Sequence, residues 1–129
     1  MKILMSKKRV VQFVALFCFV LIPYNIKAQA NVYITPSTVV LSGQSTFTID
    51  VMLSNVSNLH AYSVKIVFNN SVINYQSSAK GPFLSTGGST YFVTSPSPII
   101  DSVELAEAIL GAYSVNGSGK LFSITFNVV

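Results

Sequence analysis

Asp101, Glu104 and Glu107 form the acidic cluster of a 129-residue sequence, and a pair of carboxylates is what glycoside hydrolysis needs. Their spacing speaks against that chemistry. On a strand, Glu104 faces opposite to Asp101 and Glu107, and the remaining acid, Asp50, lies on a different predicted strand. His60 is the single histidine and Cys18 the single cysteine, so Ser/Cys-His triads and zinc, thiol and haem sites lack their ligands. There is no Gly-x-Ser-x-Gly elbow, phosphate loop or Asp-rich calcium loop. These absences argue against an enzyme and predict no metal or cofactor of the chain's own.

Aromatic rings are the remaining chemical resource, because exposed rings stack on sugars and anchor protein interfaces. Phe47, Tyr62, Phe68, Phe122 and Phe126 fall on inward positions of predicted strands, which leaves Tyr33, Tyr75, Tyr91, Phe92 and Tyr113. Of these, Tyr33, Tyr91 and Tyr113 are the candidates for direct binding of polysaccharide. The sequence has no tryptophan, which weakens a flat cellulose-binding platform.

The composition is 50% hydrophobic and 9% charged, with a mean hydropathy of +0.57. The charge is segregated. Lys2, Lys7, Lys8, Arg9 and Lys27 supply five of the eight basic groups, whereas from Asn31 onward three lysines face four carboxylates. The formal charge of +4 therefore belongs to a leader, and the remainder has no basic cluster with which to track nucleic acid. That leader has a Lys7-Lys8-Arg9 start, an apolar run from Val10 through Pro23 and a small-residue site at Ala28-Gln29-Ala30. This is the order of a signal peptide, residues 1–30, cleaved after Ala30. The apolar run is about 14 residues where a spanning helix needs about 20. The expected mature chain, 31–129, is secreted or at the cell surface and makes one domain without disulfides.

Alternation in that part predicts strands. Phe47, Ile49, Val51 and Leu53 share one face; Tyr62, Val64, Ile66 and Phe68 share another, with Ala61, Ser63, Lys65 and Val67 turned outward. Phe122, Ile124, Phe126 and Val128 mark a third strand, launched by Asn116-Gly117-Ser118-Gly119, and Asn55-Val56-Ser57-Asn58 reads as a turn. Weaker strands are expected at Val32–Ile34, Val39–Leu41, Val72–Gln76 and Ser89–Thr94. Residues 101–110 fit a short helix or a strand, and an all-β chain in need of a partner favours the strand. The spacing of turn signals is that of an all-β sandwich.

In their order, several of these motifs resemble a cohesin domain. Ser42-Gly43-Gln44-Ser45-Thr46-Phe47-Thr48-Ile49-Asp50-Val51, then Leu53-Ser54-Asn55-Val56-Ser57-Asn58-Leu59, is similar to its opening strands. Val64 through Ile73, Lys80-Gly81 with Phe83-Leu84, and Ala108-Ile109-Leu110-Gly111 with Val115 through Phe126 follow in the family's sequence of elements. The resemblance implies a jelly-roll β-sandwich of about eight to nine strands, related in fold to cellulose-binding modules. It implies a non-catalytic scaffoldin-type module that binds a dockerin, with calcium in the dockerin, in cellulosome-like assembly or surface attachment of polysaccharide-degrading enzymes. The partner contacts would come from Ala61, Ser63, Lys65 and Val67. Two departures stand out: Asn69-Asn70 replaces the family's acidic turn, and Val129 falls where a cohesin has its last strand still to come. The resemblance thus implies either further chain or an open edge that another strand can join.

Overall fold

A computed structural model describes residues 29–97 and 101–129. Among them are seven strands: β1 Asn31–Thr35, β2 Thr46–Leu59, β3 Ala61–Val67, β4 Ile73–Lys80, β5 Thr90–Ser97, β6 Ser102–Ile109 and β7 Val115–Val128. They form two antiparallel sheets, ordered β1-β2-β7-β4 and β3-β6-β5, as expected of a cohesin-like jelly-roll sandwich. The signal-peptide expectation rests on residues that lie, except for the last two, outside the described residues.

Each expected alternation becomes a buried face. Val51, Leu53, Phe122, Ile124 and Phe126 of one sheet meet Val103, Leu105 and Ile109 of the other, with Tyr62, Val64, Ile66 and Phe68 packed at their margin. Aromatic contacts join the layers: Tyr62 stacks on Phe122 at 6.0 Å between centroids, and Phe68 meets Phe126 edge-on at 5.1 Å. Residues 102–109 are a strand, because β6 fills the middle of its sheet and bonds to neighbours on both sides. Tertiary pairing outweighs the helix propensity of its Glu-Leu-Ala run.

Three expectations change. Asn55-Val56-Ser57-Asn58 is not a turn but the irregular end of a 14-residue β2. Asn55 and Asn58 take φ of 57° and 55°, which asparagine tolerates, and the result is a bulged strand. Its partner is the expected launching turn, Asn116 to Gly119, which lies inside β7; Val56 pairs with Gly117 and Leu59 with Val115. Side chains fill the gaps in the ladder. The Asn55 amide donates to Ser118 Oγ at 3.1 Å and the Asn58 amide to Asn116 Oδ1 at 2.9 Å. Gly119 is required for a different reason: a Cβ there would lie 2.7 Å from the Phe83 ring, which covers that end of the core. Lastly, Val39–Leu41 is not a strand but part of the link from β1 to β2, so it does not count toward the eight or nine strands expected.

The chain changes sheets at His60, the one residue between β2 and β3. Its carbonyl accepts the Ile109 amide at 2.9 Å, and its Nδ1 donates to the Tyr113 carbonyl at 2.5 Å. His60 is thus a structural rim residue.

Candidate partner-binding face

The outer surface of β3-β6-β5 is assembled by register. Across the sheet run the rows Ala61, Ala108, Tyr91; Ser63, Ala106, Val93; and Lys65, Glu104, Ser95, with Val67 beyond them next to a Ser102 that is buried. All four residues expected from β3 point to this outer side and are exposed. Two rows are made of alanine and serine on β3 and β6, which keeps the floor shallow, and Tyr91 and Val93 rise beside it on β5. Charge is confined to one row, where Lys65 and Glu104 are cross-strand partners. Glu104 accepts the Ser63 hydroxyl at 2.6 Å, which holds both side chains flat along the strands. A surface of this kind, apolar at one end with a single charged row, suits a protein partner better than an anion or a metal.

The sequence reading missed Val93, Glu104, Ala106 and Ala108 as members of this face. The signal was present: once residues 102–109 are a strand, Glu104, Ala106 and Ala108 point away from the buried Val103, Leu105 and Glu107. Tyr91, expected as a sugar-binding ring, stands on the same face and is 65% exposed. Tyr33 and Tyr113 stand elsewhere. Tyr33 pairs with Met52 on the outer side of the other sheet, across the sandwich, and Tyr113 belongs to the link between β6 and β7, its ring beside Gly88 and Gly111. The three candidate rings therefore share no platform, because the two outer faces of a sandwich look in opposite directions. Tyr75 and Phe92 pack against the core.

The three clustered acids have separate environments. Asp101, at φ 47°, accepts a hydrogen bond from the Asn70 side-chain amide. The amide at Asn70 is thus matched by a carboxylate just before β6, the neighbouring strand of the same sheet. Glu104 lies on the outer face. Glu107 points into the core and is 2% exposed. Its Oε2 accepts from the Tyr62 hydroxyl at 2.9 Å, its Oε1 has no hydrogen-bond partner, and Lys80 Nζ is 4.0 Å away. The single Tyr62 proton is shared with the Leu121 carbonyl at 3.1 Å. Burial, the hydrogen bond to Glu107 and the charge of that carboxylate together push the Tyr62 phenol well above its ordinary value. This arrangement braces the layer beneath the face and does not open to a substrate. Among the described residues no group of three or more His, Cys, Asp or Glu side chains could hold a metal ion.

No protein-family profile matches the sequence, and no curated protein matches it. A search of solved structures finds a chain of the type II cohesin-X-dockerin complex from Acetivibrio cellulolyticus, in an N-terminal interface mutant. The likeness has a TM-score of 0.58 at 14% identity and covers 78% of this chain and 71% of that one. At that identity the likeness concerns the fold alone, and it shows a cohesin-like β-sandwich.

Proposed function

We propose that this protein is a secreted, non-catalytic interaction module of cohesin type that captures a dockerin-like module through the outer face of β3-β6-β5. The observation that carries the reading is the conjunction of a cohesin-like sandwich with a flat, nearly uncharged sheet face. Ala61, Ser63, Lys65 and Val67 line one side of that face, and Tyr91 and Val93 the other. Calcium, where needed, belongs to the partner. The biological setting that fits is the assembly or surface attachment of enzymes that degrade polysaccharide. Direct binding of polysaccharide through Tyr33, Tyr91 and Tyr113 is disfavoured by their dispersal.

The test is calorimetric titration of the protein with dockerin modules from polysaccharide-degrading systems, with calcium and with a chelator, beside a pelleting assay on insoluble cellulose. Saturable binding that needs calcium supports the reading. Lys65→Glu should weaken it about tenfold with no change in melting temperature, because the side chain points to solvent. Pelleting with cellulose and no dockerin binding would overturn it.

A further inference from the structure

Beyond Ser54 on β2 and before Lys120 on β7, these two strands pair with each other and, among the described residues, with neither β1 nor β4. Side chains hold this ribbon together. The Asn58 amide donates to Asn116 Oδ1 at 2.9 Å and the Asn55 amide to Ser118 Oγ at 3.1 Å, while the register shifts on both sides of Val56. Asn116 and Gly117 are both exposed. Gly117 takes φ of 108°, and a Cβ at that position would meet nothing within 4 Å.

Asn116-Gly117 is also the one Asn-Gly step in the sequence. An asparagine side-chain amide is open to attack by the backbone nitrogen of the next residue, and the side chain of that residue is what hinders the approach. Valine, leucine, tyrosine and valine follow Asn55, Asn58, Asn74 and Asn127, whereas glycine has no Cβ to stand in the way. The Asn58 N–H adds a second element. It points at the oxygen on which negative charge gathers when Asn116 Cγ is attacked, as a backbone donor does in an oxyanion hole. Asn69 Oδ1 likewise accepts a backbone amide, that of Ser71 at 2.9 Å, but the residue after it is Asn70 and not glycine.

We propose that Asn116 is a modification site, at which the folded protein converts its own asparagine to aspartate and isoaspartate. The Gly117 nitrogen gives its proton to water and bonds to Asn116 Cγ; the Cγ–Nδ2 bond breaks, and ammonia leaves after taking a proton from water. A further water then opens the ring imide. Breaking the new bond to Cγ leaves aspartate in an ordinary backbone, and breaking the original peptide bond leaves isoaspartate, whose backbone runs through Cβ and Cγ. The balance is amide plus water to acid plus ammonia. Aspartate still accepts the Asn58 amide. Isoaspartate lengthens the backbone between Val115, which is buried against Leu59, and Gly117 opposite Val56, so the two pairings no longer fit together and the ribbon opens. The site belongs to the other sheet and does not rest on the dockerin reading.

Ageing of the whole protein in warm, mildly alkaline buffer, followed by peptide mass mapping, tests this. Asn116 should gain the mass difference between amide and acid about tenfold faster than any other asparagine, and an isoaspartate-specific methyltransferase should label the same peptide. Gly117→Ala should slow the conversion about tenfold. Because alanine is strained at that φ, Asn116→Gln serves as the second variant: its longer side chain cannot close the same ring, and acid should cease to form in that peptide. The isoaspartate fraction, separated by chromatography, should show fast amide exchange at Asn55 and Asn58, whereas Asn116→Asp should keep both the protection and the melting temperature of the fresh protein. Conversion spread evenly over the asparagines, or undiminished in Asn116→Gln, overturns the proposal. So does conversion more than about tenfold slower in the folded protein than in the urea-unfolded chain, because the ribbon would then shield Asn116. Asn55 and Asn58 amides still protected in the isoaspartate fraction overturn the opening of the ribbon.

Discussion

The two long sides of the sandwich are built by the same strand alternation and finished in opposite ways. Where β4 meets β5, polar side chains stitch one sheet to the other: Lys80 Nζ donates to Thr90 Oγ1 at 2.9 Å, and the Ser78 and Thr94 hydroxyls bond at 2.8 Å. Pro96 also blunts β5. Where β1 and β3 form the other side, no side-chain bond joins them among the described residues, and apolar side chains stand bare. A hydrogen bond across a sheet edge contributes only about 1 kcal/mol, but it settles where the sandwich is closed.

The comparison can be broken or sharpened by four substitutions read by chemical denaturation. Phe126→Ala should cost the most, about 4 kcal/mol, because its buried ring packs on Phe47 and Phe68 towards one side and its strand position pairs with Tyr75 of β4 towards the other; a cost below about 1 kcal/mol would mean that the two sides do not share a core. Tyr62→Phe should cost about 2 kcal/mol, since it strips the buried Glu107 of its hydrogen-bond donor. The same variant has a pH signature. Unfolded Tyr62 releases its proton near pH 10, while the folded phenol, pushed higher, keeps it. The folded state therefore binds more protons, and stability falls as pH rises past 10. Tyr62→Phe should flatten that fall, and an unchanged slope would show that the hydroxyl is not held as described.

Lys80→Ala cuts one stitch and should cost up to about 1 kcal/mol, the lysine being partly exposed. Ile34→Ala should cost least, about 0.5 kcal/mol, although Ile34 occupies the same rung as the buried Val51. A cost for Ile34→Ala equal to that for Val51→Ala would show the β1 side to be covered in solution and would erase the contrast.

Which residues point inward was legible from alternation alone: the inward sets of β2 and β3 and the apolar face of β7 stand where the pattern puts them. The expected contact residues of β3 were legible for the same reason. The other half of that face was not, because Tyr91, Val93, Ala106 and Ala108 join it only through the order β3-β6-β5, and nothing local reports which strands are neighbours. Turn chemistry misled at Asn55–Asn58 and Asn116–Gly119, where two stretches with turn composition pair with each other and become a bulged ladder.

Side-chain period along a strand is a local property of the backbone, so the sequence by itself determined the all-β character, the inward faces and the scarcity of charge. Strand order, the fit of Asn70 to Asp101, the burial of Glu107 against a tyrosine 45 residues away and the width of each sheet were decided by tertiary structure. Each depends on hydrogen bonds between segments far apart in the chain, and such bonds form only once the two layers have come together.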